Sequence, residues 1–397
     1  MAGRYQRGSP MKQTYQLQVI TPVHIGSGET LNQIDGCYAN GRWYHIDLDK
    51  VLAHPSTDLN RLTSEMADRN FRWQRYLQQH TADLSKLSAY TLSCPQSPEE
   101  VEIREAIKSV GNRPYIPGST LKGAIRTALL GEILSENDQI YDKSLRQLET
   151  LIEREPRGNP RREQPGRQVE SLAFGKDPNH DLLRALQVSD TEPLHSDALE
   201  IGMAWTVTLN QKNQLVQKIE RNQEYKNFVQ QFQTNQRLTF TLKIDERLLR
   251  QHEKNRLGFN DLQENVLRNI TKICRSATEK YAQDERDFFS GYELFEIANR
   301  YDDLIGVNNT LSEDEFLLQI GWGTGYHTNT VAALFTDDEE AREDLWMDLR
   351  ERFRLGESRS KRGEYDEREF PKTRRILYRG QNPIAPLGWV KISQLKD

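Results

Sequence analysis

Cysteine is scarce: Cys37, Cys94 and Cys274 are the only three in 397 residues, far apart and without CxxC spacing. That leaves no disulfide framework and no thiolate set for zinc, and reduced, buried thiols are the expectation. The eight histidines are scattered, with no HExxH and no Cys/His cluster, so no metal and no other cofactor is expected. No run approaches the roughly 20 apolar residues needed to cross a bilayer. The first residues also lack an apolar signal core, so the expected location is the cytoplasm, away from membranes. An excess of positive charge is missing as well. The formal net charge is −5, which argues against a uniformly polycationic surface and makes the distribution of Lys and Arg decisive.

The basic residues do cluster. Arg154, Arg157, Arg161, Arg162 and Arg167 fall in one Pro- and Gly-rich stretch, and Arg359, Lys361, Arg362, Lys372, Arg374 and Arg375 lie near the C-terminus. Hydrophobic residues make up 36% and charged residues 28% of the chain, polar for a globular protein but sufficient for a core. The length exceeds that of a usual single core, predicting two lobes or one core with large insertions. The opening MAGRYQRGSP, followed by Met11, reads as a vector-derived leader or a native arm.

Tyr15, Leu17 and Val19 alternate with Gln16 and Gln18, which predicts a half-buried strand within 14–25. Asn40-Gly41 between 36–38 and 43–46 predicts a hairpin turn. The spacing predicts helices over 49–91, 260–283 and 338–352, and strands over 183–189, 201–209 and 238–244 with a polar segment between the last two. Strands that alternate and are separated by helices imply an α+β fold with sheets covered on one face, and a ferredoxin-like arrangement fits.

Four segments carry chemistry. In Thr21-Pro22-Val23-His24-Ile25-Gly26-Ser27-Gly28 a strand runs into two glycines that let the backbone turn or a phosphate approach, although an ordinary strand-to-turn junction reads the same. In Pro114-Tyr115-Ile116-Pro117-Gly118-Ser119-Thr120-Leu121-Lys122-Gly123-Ala124-Ile125-Arg126, Ser119 or Thr120 can cap a helix whose N-terminus attracts anions. Lys122 and Arg126 form an i, i+4 row beside it; a capped amphipathic helix with solvated cations is the plain alternative. Ala124 and Ile125 stand where a Walker A loop needs Lys and Ser/Thr, so ATP hydrolysis is excluded.

The third segment, Leu318-Gln319-Ile320-Gly321-Trp322-Gly323-Thr324-Gly325-Tyr326-His327-Thr328-Asn329-Thr330, joins close backbone approach to flat rings, a combination suited to single-stranded RNA or to inward packing. The fourth, Phe370-Pro371-Lys372-Thr373-Arg374-Arg375-Ile376-Leu377 followed by Pro386-Leu387-Gly388-Trp389-Val390-Lys391-Ile392, offers cations for phosphate or a solvated charge run.

Together, TPVHIGSG, PYIPGSTLKGAIRTALL, LLRALQVSD, IGWGTGYHT and FPKTRR with PLGWVKI resemble the RAMP superfamily of CRISPR proteins. Within it they are similar to the fifth-subunit family of the type III-A Csm effector, in the family's order across residues 14–392. The resemblance implies a ferredoxin-like (RRM-like) RAMP core with helical insertions and an additional C-terminal lobe. In that division 1–10 is a leader or arm, 11–246 an N-terminal RRM-like region with a basic loop or thumb, and 247–397 a C-terminal helical and glycine-rich-loop region.

It implies a non-catalytic subunit that caps the 3′ end of crRNA, docks on the backbone RAMP subunit and the small subunit, and works beside a recruited host nuclease. The residues it points to for RNA are His24, Gly26, Gly28, Ser119, Lys122, Arg126, Arg161, Arg162, Gly321, Gly323, Gly325, Tyr326, Lys372, Arg374 and Arg375. The family's thumb corresponds to 154–167 or to 210–223. Asp35 occupies a loop comparable to one that carries a cleaving aspartate in backbone subunits, but Asp35-Gly36 reads as a turn. Two other functions stand beside this one. One is a metal-independent RAMP endoribonuclease using His24 or His327, the other an adaptor that binds only proteins.

Overall fold

The computed structural model describes residues 13–68, 70–77, 84–98, 102–154, 166–210, 212–220, 223–224, 226–326, 328, 343–357 and 370–396. Arg161, Arg162 and His327 therefore lie outside the described residues, as does most of the basic loop. The first strands are β1 (Gln13–Val19), β2 (Gly26–Leu31), β3 (Gly36–Ala39), β4 (Arg42–Ile46), β5 (Ser88–Ser93), β6 (Ile103–Ala106), β7 (Lys108–Ser109) and β8 (Arg113–Pro114). The middle of the chain adds β9 (Leu186–Val188), β10 (Leu199–Leu209), β11 (Leu215–Gln217), β12 (Ile219–Glu220), β13 (Gln223–Glu224), β14 (Lys226–Phe232) and β15 (Arg237–Ile244). Four more follow: β16 (Glu315–Gln319), β17 (Thr373–Arg379), β18 (Asn382–Pro386) and β19 (Trp389–Gln394).

The helices are α1 (Leu48–Ala53), α2 (Leu59–Met66), α3 (Trp73–Leu77), α4 (Gly118–Ser135), α5 (Asp138–Glu153) and α6 (Gly166–Phe174). The later ones are α7 (Gln251–Leu257), α8 (Asp261–Arg268), α9 (Ile270–Gly291), α10 (Phe295–Thr310) and α11 (Glu343–Phe353). No helix among the described residues is long and apolar enough to cross a membrane.

One sheet has the order β16-β19-β1-β15-β9, antiparallel throughout, with β1 at its centre. The alternation of β1 works as expected: Tyr15 faces Phe240, and Leu17 lies between Leu238 and Ile392 in the core. Helices α4 and α9 pack on this sheet, which gives the ferredoxin-like layout of an antiparallel sheet with helices across one face. The opposite positions of β1, β15 and β19, among them Gln16, Gln18, Arg237, Thr239, Thr241, Lys391 and Ser393, expose no aromatic ring, since Trp389 is buried against Tyr281. Bases therefore have no stacking platform on these three strands.

The second sheet runs β2-β6-β14-β10-β5-β4-β3, with β17 and β11 also pairing with β10. Both sheets draw strands from either side of residue 246, since β19 pairs with β1 and β17 with β10. The expected C-terminal lobe thus contributes strands to both sheets, and one hydrophobic cluster spans the chain from Tyr15 to Ile392. A smaller cluster under α1 to α3 centres on Trp73 and Tyr76.

Local chemistry explains where expectation held and where it did not. Asn40 and Gly41 both take positive φ, 50° and 73°, the primed turn that joins β3 to β4. The helical span expected over 49–91 is divided among α1, α2 and α3, and its last residues belong to β5, where Ser88, Tyr90 and Leu92 face inward in strand alternation. The polar segment before 238 is strand β14, whose Gln230 and Gln231 are fully buried. Gln230 is satisfied there by the Ala106 N–H and the Tyr90 hydroxyl. The long helix expected over 260–283 is broken at Asn269 into α8 and α9.

Candidate nucleic-acid interface

The glycine-rich loop begins where β16 releases the chain at Ile320, whose N–H donates to the Gly388 carbonyl at 2.8 Å. Gly321 has φ +74°, and a Cβ on it would meet the His24 carbonyl oxygen at 2.4 Å; a Cβ on Gly323 would meet the Leu387 oxygen at the same distance. The close approach that the glycines allow is therefore to the protein's own backbone, which wedges the turn between residues 24 and 387. The Trp322 N–H donates to the His24 carbonyl at 2.9 Å, and its ring packs beside Ala204, Leu377 and Leu387.

Wedged there, Trp322 gathers charge. The Arg375 guanidinium lies 4.4 Å from the ring centroid and that of Arg104 5.3 Å, and Arg375 also donates to the Trp322 carbonyl at 2.9 Å. Arg104 comes from β6 and is steadied by Asn227 at 3.3 Å. Because successive side chains on a strand point to opposite faces, neighbours on β17 divide their work. Arg375 faces outward, whereas Arg374 reaches into the core, pairs with Glu285 at 2.7 Å and covers the Phe288 ring at 4.1 Å.

These side chains surround a pocket of about 410 Å³ whose lining includes Arg104, Lys218, Trp322, Tyr326 and Arg375. Among the described residues Glu285 is the one carboxylate lining it, and Arg374 engages it. Cations beside flat rings, with the hydroxyls of Thr206, Thr324 and Thr373 nearby, match an anionic ligand carrying aromatic rings: a nucleotide. Tyr326 packs against Trp346 and Phe370, closing one side. Arg104 and Lys218 were not singled out in the sequence. Lys218 lies within the 210–223 stretch named as one thumb alternative, while Arg104 sits in an ordinary alternating strand with no signal.

Several expected contacts resolve differently. The Lys122 ammonium donates to the carbonyls of Leu183 and Leu186 at 2.7 and 2.8 Å, and burial lowers its pKa. Arg126 pairs with Glu170 and Asp181 and covers Phe174. Neither stands free beside an anion site, because the row faces the loop 181–186 rather than solvent. Ser119 is exposed but does not cap α4, and neither does Thr120. Asp190 instead accepts the Gly118 N–H at 2.8 Å, so a carboxylate of the protein already fills the anion position. Gly118 abuts the Val188 carbonyl, which makes the segment a joint between helix and sheet.

Gly26 and Gly28 lie on the exposed edge strand β2, where a bulge carries Glu29 and Ser27 bonds to Glu105; these carboxylates oppose a phosphate. Gly325 is exposed with open space around its α-carbon, and Lys372 is half-buried ahead of β17. Asp35 accepts the Asn32 N–H at 2.7 Å, the bond of a turn.

His24 is 3% exposed, and its Nδ1 donates to the Gln230 carbonyl at 2.6 Å. Burial drives its pKa down to about 4, with Arg104 and Lys108 pushing the same way against the Gln230 bond. A neutral, enclosed imidazole is a structural tie and a poor acid or base for RNA. The sign follows: the unfolded chain takes up this proton near pH 6.5 and the folded chain only near 4, so stability falls as pH drops through that window. The loss should be on the order of 3 kcal/mol. His24→Asn, which keeps a donor for Gln230, should flatten that part of a stability–pH profile measured by urea unfolding. An identical profile in the variant would show that His24 is not the titrating group.

Among the described residues no group of three or more His, Cys, Asp or Glu is placed to hold a metal ion. The profile of the RAMP superfamily matches residues 16–328. The chain is 23% identical over 412 residues to the CRISPR system Cms protein Csm5 of Methanocaldococcus jannaschii, covering 98% of this chain and 90% of that protein. Against the Streptococcus thermophilus protein of the same name it is 24% identical over 217 residues, 48% of this chain and 55% of that one.

Among solved structures, a chain of a type III-A Csm–crRNA–target RNA ternary complex superimposes with a TM-score of 0.69 at 23% identity, over 97% of this chain and all of that one. Csm5 of T. onnurineus gives a TM-score of 0.63 at 20% identity, over 94% and 99%. With its antiparallel sheet under α4 and α9, and with the superfamily profile running through both sheets to the glycine-rich loop, this chain belongs to the RAMP superfamily.

Proposed function

We propose that this chain is a non-catalytic subunit of a type III-A Csm ribonucleoprotein that binds crRNA, caps its 3′ end and docks on the repeated backbone subunit. The observation that carries the RNA part is the convergence of Arg104 and Arg375 on Trp322, with Lys218 lining the same pocket, the glycine-rich loop meeting the C-terminal basic strand. The Csm5 names of the relatives support the assembly. The excursion between β10 and β14, which holds β11 to β13 and exposes Val216 and Ile219, is the better thumb: it is built of paired strands and brings Lys218 to the pocket. An endoribonuclease is disfavoured by the burial of His24.

Arg104→Ala with Arg375→Ala tests the reading. Each charge-assisted contact is worth about 1.5–3 kcal/mol, so the pair should cost at least about a hundredfold in crRNA affinity. Complexes purified with the variant should carry crRNA with ragged 3′ ends. Unchanged ends and unchanged affinity would remove the pocket from the RNA path.

A further inference from the structure

A second basic surface lies apart from the Trp322 pocket. Between α5 and α6 runs an open groove of about 890 Å³, whose lining includes Gln147, Thr150, Arg154, Arg167, Ser171 and Lys176. Among the described residues no carboxylate lines it, and the only apolar side chains in its lining are two leucines. Arg154, Arg167 and Lys176 are exposed, and none has a hydrogen-bond or ion-pair partner for its side chain among the described residues. Other cations of the chain are engaged internally: Lys122, Arg126, Lys254, Arg268 and Arg374 are each held by acceptors of the same chain.

We propose that this groove is a second site for the phosphodiester backbone of single-stranded RNA, separate from the pocket at Trp322. The cations supply phosphate contacts, and the amides and hydroxyls between them suit phosphate and ribose oxygens. Among the described residues no ring lines the groove, so it reads the strand without stacking bases and without sequence preference. An acidic protein partner fits less well, because protein interfaces centre on aromatic or large apolar anchors and this lining offers only two leucines.

The test uses the full chain and a labelled oligouridylate, titrated over a series of salt concentrations. Arg154→Ala, Arg167→Ala and Lys176→Ala combined should weaken binding and flatten the plot of log affinity against log salt by about two units, at roughly 0.7 per phosphate. Arg154→Lys with Arg167→Lys should retain the slope. All three residues are exposed, so the melting temperature should not move. A wild-type slope and affinity in the triple variant overturns the proposal. So does a variant that loses binding to poly-glutamate but not to oligouridylate, or a wild-type chain that does not bind oligouridylate. The Arg104→Ala, Arg375→Ala variant separates the two sites: if it alone loses RNA, the pocket stands and the groove falls, and if the triple variant alone loses RNA the reverse holds.

Discussion

Replacing Glu285 by alanine is expected to remove about 3–5 kcal/mol of folding stability, the cost of leaving a buried charge without its partner. The Glu285 side chain is 2% exposed and that of Arg374 13%, and two guanidinium–carboxylate contacts join them across 89 residues. Arg374 cannot swing to water, because Phe288 lies under its guanidinium and the Pro371 carbonyl accepts another of its N–H groups. Removing the carboxylate strands that cation between α9 and β17.

Replacing both partners with apolar residues, Glu285→Leu with Arg374→Met, should recover most of the loss, since desolvation of the pair offsets much of its attraction. Urea unfolding of the two single variants and the double variant measures the coupling directly. A Glu285→Ala cost below about 1 kcal/mol, the range of surface ion pairs, would show that water reaches the site and that β17 is held by other contacts. Arg375 adjoins Arg374 on the same strand, so a loosened β17 should also weaken RNA retention while leaving Arg104 untouched.

This pair shows what the sequence could not display. Residues 370–375 read as a basic run for phosphate, yet one arginine of the adjacent pair neutralises a core glutamate and the other covers a tryptophan. Strand alternation separates them, but the burial of one face depends on α9, which is remote in sequence. The same holds for Lys122 and Arg126: their helical spacing was legible, whereas the carbonyls and carboxylates that hold them belong to residues 170–186.

Local signals survived better. Asn40-Gly41 defined its hairpin, and Tyr15, Leu17 and Val19 defined the central strand, because turn chemistry and period two are properties of adjacent residues. Strand β14 escaped notice because buried glutamines look like solvent-facing ones until their partners Tyr90 and Ala106 are brought up by folding. The superfamily was legible from short motifs even though several of their residues, among them Lys122, Arg126, Gly323 and Arg374, are engaged by other parts of the same chain.

Within the glycine-rich loop, substitution by alanine is expected to divide three glycines into two kinds. Gly321→Ala combines a φ of +74° with a Cβ placed 2.4 Å from the His24 oxygen, and Gly323→Ala places its Cβ 2.4 Å from the Leu387 oxygen. Both obstacles are backbone atoms, fixed by the Trp322-to-His24 and Ile320-to-Gly388 hydrogen bonds, so relief requires the loop itself to lift. Each change should cost about 1–3 kcal/mol. At Gly325 nothing lies within 4 Å of the added carbon, and its variant should melt with the wild type.

The double variant Gly323→Ala with Gly325→Ala should therefore show a distinct loss of stability that comes from Gly323 alone. Thermal melting of the three single variants checks the order, and oligouridylate binding by the same samples checks its consequence. Lifting the turn carries Trp322 away from Arg104 and Arg375, so Gly321→Ala and Gly323→Ala should lose RNA affinity together with stability. If Gly321→Ala melts with the wild type, the turn is not wedged between residues 24 and 387, and the pocket loses the support that holds its tryptophan between two arginines.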